Sequence, residues 1–171
     1  MKKSIGVLGS GSWATALVKI LSENTSNINW YIRNSDVIEQ IKTDKKNPKY
    51  LSYVDLNLNK LQISSEIDEI INDSDIIIIA IPSPFIESSL ISAKKLLSNK
   101  FLVSASKGII PESFLTISEH LNQEYNMCVN LNPCSEIYDM EIYDKSIDSL
   151  ASPIEDRLNY PMPSSPTYDS F

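Results

Sequence analysis

The chain lacks the residues that several common kinds of protein depend on. Among 171 residues there are two cysteines and one histidine. Cys128 and Cys134 are too few for a disulfide framework at this length. Their C-x5-C spacing, with His120 as the lone histidine, fits no zinc pattern, so no metal site is expected. Positive charge is short: 15 basic residues face 22 acidic ones, a net charge of -7, which argues against a nucleic-acid-binding surface. Long apolar runs are missing, the longest being Ile76 to Pro82, far below the roughly 20 residues of a membrane-spanning helix. Lys2 and Lys3 lead into Ile5–Leu8, which glycine interrupts, so the h-region of a secretory signal is lacking too. Together these absences predict a cytoplasmic protein with no membrane or nucleic-acid partner.

Glycine is also scarce. There are four in all, and three of them, Gly6, Gly9 and Gly11, fall within six residues. They sit where an apolar run, Ile5 to Leu8, turns into an amphipathic stretch. Gly9, Gly11 and Ala14 fit the dinucleotide fingerprint G-x-G-x-x-G/A. Gly9 allows a tight turn, Gly11 leaves the backbone open to a pyrophosphate, and Ala14 lets the following helix pack close to the sheet. The N–H groups at the start of that helix then face the phosphates, with Ser12 and Trp13 beside them. Trp13 can touch the cofactor, pack at the sheet edge, or do both. The cofactor predicted is NAD or NADP.

The surrounding pattern is that of a nucleotide-binding fold. Strand 1 (4–8) is followed by a helix over 12–22 whose Trp13, Ala16, Leu17, Ile20 and Leu21 share one face. Strand 2 covers 29–32, and a helix over 35–42 starts with Ser35 as N-cap. After a polar stretch come strand 3 (61–64) and a helix opening on the box-like Ser65-Glu66-Ile67-Asp68. Ile76–Pro82 is apolar on both faces, as in the middle of a parallel sheet covered by helices on each side. Ile86, Leu90, Ala93 and Leu97 form one helical face, 101–104 is a strand, and Phe114, Ile117 and Leu121 mark a last helix. This alternation predicts an α/β fold, a Rossmann-like, doubly wound, mainly parallel sheet. From about Cys128 the rhythm stops. Residues 1–127 carry 13 basic and 14 acidic residues, whereas 128–171 carry 2 and 8. The expected organisation is an NAD(P)-binding domain over 1–130 and an irregular, acidic, poorly ordered tail over 131–171.

Arg33 follows strand 2, where NAD-preferring folds place an acidic residue for the ribose 2′-OH. An arginine there can pair with a 2′-phosphate or stack on adenine, which slightly favours NADP over NAD, or allows both. Lys107 lies in the Ser106-Lys107-Gly108 turn at the carboxyl end of a strand, the edge where open α/β sheets bind ligands. Each could also be an ordinary surface cation. His120, alone on a helix, is assigned no role.

Five short segments in order resemble the N-terminal domain of the NAD(P)-dependent glycerol-3-phosphate dehydrogenase family: Gly9-Ser10-Gly11-Ser12-Trp13-Ala14-Thr15-Ala16-Leu17, Trp30-Tyr31-Ile32-Arg33, Asn47-Pro48-Lys49-Tyr50-Leu51, Ile79-Ala80-Ile81-Pro82-Ser83 and Ser104-Ala105-Ser106-Lys107-Gly108. The resemblance covers about residues 4–125. It implies reduction of dihydroxyacetone phosphate by NAD(P)H to sn-glycerol 3-phosphate, a phospholipid precursor, by an enzyme that takes a small phosphorylated substrate. It gives Lys107 contact with substrate and cofactor and an electrostatic catalytic role, and it permits a homo-oligomer. The chain then departs from the family, with Asn130–Glu136 standing where a Ser-Gly-Pro-Ser loop belongs. The family's helical substrate domain, with its catalytic Lys and Arg-Asn pair, has no counterpart in the 35 residues that follow. The expectation is therefore a truncated domain with little or no activity alone; the alternative is a non-catalytic dinucleotide-binding module or a fused remnant. Asn132-x-Cys134-x-Glu136 resembles a ribonucleotide reductase signature, but nothing else of that enzyme is present.

Overall fold

The computed structural model describes residues 3–125 and 129–130. The tail expected over 131–171 lies outside the described residues, as do both cysteines. Six strands, β1 (Ile5–Leu8), β2 (Ile28–Tyr31), β3 (Leu61–Ser64), β4 (Ile76–Ile79), β5 (Phe101–Ser104) and β6 (Val129–Asn130), form one sheet in the order β3-β2-β1-β4-β5-β6. Every pairing is parallel. The chain winds outward in one direction from β1 to β3 and in the other from β4 to β6. The β1/β4 junction is therefore the switch point at which doubly wound sheets open a crevice. No strand was predicted at β6, which is two residues long and shows no alternation.

The period of two along each strand sorts the core into two layers. Val7, Trp30, Ile78 and Val103 face one side, with α1 (Ser12–Asn24) and α2 (Ser35–Asp44) over them. Leu8, Ile77, Ile79 and Leu102 face the other, beneath α3 (Ile67–Asn72), α4 (Ile86–Leu90), α5 (Lys94–Leu97) and α6 (Ile117–Tyr125). Burying each such side chain contributes about 1.5–3 kcal/mol before entropy is counted. No helix of the described residues is long and apolar enough to cross a membrane.

Several local expectations need correction. The buried residues of α1 are Ala14, Thr15, Val18 and Ser22, while Trp13 and Ile20 are about half exposed. Apolarity misled here because the helix lies so close to the sheet that small residues make the contact. Asn34, not Ser35, caps α2, its side chain accepting from the N–H groups of Asp36 and Val37 at 2.8 and 3.3 Å. The residues expected to open α3 form no box; Glu66 is the N-cap and makes no side-chain cap bond. A capping box does open α6: Thr116 N–H and Oγ1 both donate to Glu119 at 2.8 Å, and Glu119 N–H donates back to Thr116 Oγ1 at 3.2 Å. Phe114 lies before that helix, 79% exposed and at φ 56°. The expected 86–97 face is buried, but its helix is broken by a 3-10 turn over Ile91–Ala93.

Ser4 and Asp75 join the starts of β1 and β4. Ser4 N–H and Oγ donate to Asp75 Oδ2 at 2.8 and 3.0 Å, and these bonds hold the carboxyl below its ordinary range. A depressed carboxylate pKa stabilises the fold above the unfolded value of about 3.9 and ceases to do so as pH falls through the folded value. Asp75→Asn is therefore expected to lower the melting temperature at neutral pH, with the gap to wild type closing below about pH 4. Thermal melts between pH 2 and 7 check this, and a gap independent of pH would refute it.

Candidate functional site

All the action is at the carboxyl edge of the sheet. The turn after β1 leaves the strand through Gly9, whose φ is 128°. A Cβ there would stand 2.5 Å from the Ala80 carbonyl, so the β1 and β4 ends approach this closely only with glycine. Trp30, fully buried on β2, donates its indole N–H to the Gly9 carbonyl at 2.7 Å and fixes the turn from the side. Gly11 differs in kind. Its backbone is extended (φ −74°, ψ −178°), and a Cβ there would meet nothing within 4 Å. Packing within the protein therefore gives no reason for glycine at 11.

Gly11 is the N-cap of α1, and no side chain caps that helix or places an acid in its first turn. The N-terminal N–H groups and the positive end of the helix dipole are thus left for a ligand. Ala14 is fully buried against the sheet, and Thr15 Oγ1 donates to the Gly11 carbonyl at 2.9 Å.

The turn after β5 forms the opposite wall. Ser106, buried, donates to the Ile79 carbonyl at 3.0 Å, and Gly108 takes φ 111°. Between them Lys107 is exposed. Pro82, Ser83 and Phe85 follow β4 and face the same space, with Phe85 half exposed. Arg33 stands two residues beyond β2, next to Tyr31, whose phenol burial pushes above its ordinary range while the guanidinium pulls it back. The phenol is neutral at pH 7.

These elements enclose a cleft of about 820 Å3, and Gly9, Gly11, Ser12, Trp13, Ala14, Arg33 and Lys107 all line it. The structure thus brings together the seven residues singled out from the sequence. It adds Tyr31, Tyr50 and the Pro82–Phe85 segment, and behind the lining it adds Trp30 and Asn47 as supports. The Asn47–Leu51 segment was visible as a family resemblance, but nothing in a run of Lys and Asn signals that Asn47 is fully buried. His120 lies apart from the cleft, on α6, buried, with its ring tilted against Tyr125 at 6.3 Å. Among the described residues lining the cleft there is no Asp or Glu, in a chain that has 22. Arg33 and Lys107 are in no ion pair among the described residues.

An uncapped helix N-terminus, an unexplained glycine and two unpaired cations without a carboxylate suit an elongated, polyanionic ligand. Comparison with known sequences names the group. Residues 4–132 match the profile of the NAD-dependent glycerol-3-phosphate dehydrogenase N-terminus. The chain belongs to that family. It is 38% identical over 122 residues to a glycerol-3-phosphate dehydrogenase [NAD(P)+] of Mycoplasma mobile, covering 70% of this chain and 36% of the relative. The corresponding protein of Bacillus subtilis is 35% identical over 123 residues, 71% of this chain and 35% of the relative. The chain thus spans just over a third of the length of these relatives. A glycerol-3-phosphate dehydrogenase structure from Plasmodium falciparum superposes with a TM-score of 0.66 at 28% identity, covering 74% of this chain and 39% of the other. One from Coxiella burnetii gives 0.66 at 23% identity over 75% and 39%, a likeness of fold. The fold is the Rossmann-like α/β fold of this family's N-terminal domain.

Proposed function

We propose that the chain is a cytoplasmic NAD(P)-binding domain of a glycerol-3-phosphate dehydrogenase, acting in the reduction of dihydroxyacetone phosphate to sn-glycerol 3-phosphate. The observation that carries this reading is Gly11, open to the cleft at the uncapped start of α1. In this reading Gly9, Gly11, Ser12, Trp13 and Ala14 hold the pyrophosphate through the backbone and the helix dipole. Arg33 faces the adenosine ribose. Lys107 places one positive charge where the substrate phosphate or the reacting carbonyl oxygen would lie, stabilising charge that develops there. The dinucleotide, when bound, supplies the hydride. Calorimetric titration of the full 171-residue chain with NADPH and NADH tests the reading. Saturable binding of at least one is expected, and binding of neither would refute it.

Arg33 also sets the expected preference. No acidic residue stands at the very end of β2 or in the described cleft lining to pair with a ribose 2′-OH, the nearest along the chain being Asp36 in the first turn of α2, and Arg33 supplies the charge a 2′-phosphate needs. NADP is therefore preferred over NAD. Arg33→Asp turns an attraction into a repulsion and is expected to weaken NADPH by about a hundredfold or more while changing NADH little. Equal losses for both cofactors would show that Arg33 does not read the 2′ position.

The alternative, a dinucleotide-binding module without catalysis, draws on the same cleft. It is favoured by the missing carboxylates and by the absence of histidine from the described lining. Oxidation of the cofactor that depends on dihydroxyacetone phosphate, however slow, would favour the dehydrogenase domain over the module.

A further inference from the structure

Beside the main cleft lies a second cavity of about 200 Å3. The two share Ser10, Arg33 and Tyr50. The small cavity adds Lys49, which the main cleft does not contain, and its described lining has no acidic residue. Lys49, like Arg33, is in no ion pair among the described residues.

Lys49 is carried by a loop that is tied to the glycine turn through one side chain. Asn47 is fully buried. Its amide donates to the Ser10 carbonyl at 3.1 Å and to Thr15 Oγ1 at 2.8 Å. Its carbonyl oxygen accepts from the N–H groups of Lys49 and Tyr50 at 3.1 and 3.2 Å. Both donor hydrogens and the acceptor are thus engaged. The base of the loop is closed by Leu56 N–H donating to the Lys45 carbonyl at 2.8 Å. One buried amide therefore sets the position of Lys49 relative to Ser10, at the edge of the turn that carries Gly9 and Gly11.

We propose that Lys49, positioned by Asn47, is a second specificity-determining cation that acts with Arg33 on a phosphomonoester carried by the adenosine ribose of the dinucleotide. This rests on the dinucleotide reading of the main cleft. A phosphomonoester carries up to two charges near neutral pH and offers three acceptor oxygens. A forked guanidinium and a point-charge ammonium in a lining without carboxylates satisfy both features. A ribose hydroxyl gives Lys49 no such partner. Lys49 therefore discriminates between the two cofactors rather than adding to the affinity for both.

The test is titration of the full chain with NADPH, NADH and 2′,5′-ADP. Lys49→Ala is expected to weaken NADPH and 2′,5′-ADP by about tenfold or more and to leave NADH within about twofold, as for loss of a hydrogen bond to a charged group. Lys49→Arg is expected to restore most of the loss. Asn47→Ala is expected to lower NADPH selectivity, and adding Lys49→Ala in that background should have less effect than in wild type, because the ammonium is already displaced. If Asn47→Ala does not fold, the Lys49 variants decide the matter. Equal losses of NADPH and NADH in Lys49→Ala, or no loss of either, overturn the proposal while leaving the dinucleotide reading in place. Failure of wild type to bind any of the three overturns both.

Discussion

Gly11→Val is expected to abolish dinucleotide binding while the protein stays folded. The expectation rests on the contrast between the two turn glycines. At Gly9 any side chain would strike the Ala80 carbonyl and occupy a backbone region that L-residues avoid, so substitution there damages the fold itself. At Gly11 the backbone is ordinary and the Cβ direction is empty, so valine costs the free protein little. Exchanging one N-cap residue with no capping side chain for another changes stability by no more than about 1 kcal/mol. The branched side chain nevertheless fills the space through which a pyrophosphate would reach the N–H groups of α1. Affinity for both NADH and NADPH should fall by at least about a hundredfold, that is about 2.7 kcal/mol or more. The melting temperature should shift by only a few degrees. Titration and thermal melts on the same preparation check both halves. Unchanged affinity would remove the glycine turn from the site.

The second large effect concerns turnover. The 171-residue chain is expected to bind cofactor and to reduce dihydroxyacetone phosphate slowly or not at all. Reducing a carbonyl by hydride transfer also needs a proton delivered to the oxygen, a held substrate and exclusion of water. Among the described residues, the titratable groups lining the cleft are Lys107, Arg33 and the phenols of Tyr31 and Tyr50. Lys107 supplies one cation, and none of these groups is a carboxylate or an imidazole poised near neutral pH. Lacking general acid–base catalysis costs about 10²–10⁴ in rate, and poor orientation costs more. Oxidation of NADPH or NADH, followed with dihydroxyacetone phosphate and protein free of host dehydrogenase, is expected to proceed at least about a hundredfold more slowly than with a full-length relative. Rapid turnover that disappears in Lys107→Ala would overturn this and would show that residues outside those described complete the site.

How far the sequence could be read depended on whether the deciding contacts were local. β4 and β5 were legible because Ile76–Ile79 and Phe101-Leu102-Val103 are unbroken apolar runs entered from charged residues, Asp75 and Lys100. The residues lining the cleft were legible because a glycine fingerprint and two cations just beyond strands stand out in the sequence by themselves. The buried face of α1 was not, because Ala14, Thr15 and Ser22 are buried by the closeness of the sheet and not by their hydrophobicity. The cap of α2 fell one residue early, since Asn34 and Ser35 are both good caps and only the backbone geometry selects between them. Trp30 and Asn47 carry the long-range ties of the site, to Gly9 across 21 positions and to Ser10 across 37. No periodicity or composition announces bonds of that kind, which exist only once the sheet has brought the segments together.

The two indoles of this protein make it its own optical ruler. Trp13 is half exposed at the cleft, and Trp30 is sealed in the sheet with its N–H bonded to Gly9. A water-soluble collisional quencher should therefore reach the first and spare the second, dividing the emission into an accessible red-shifted part and a protected part. Occupancy of the cleft would shield only the accessible part, whereas unfolding would release both. The ratio of the two distinguishes a filled cleft from a loosened sheet in a single cuvette, without a label.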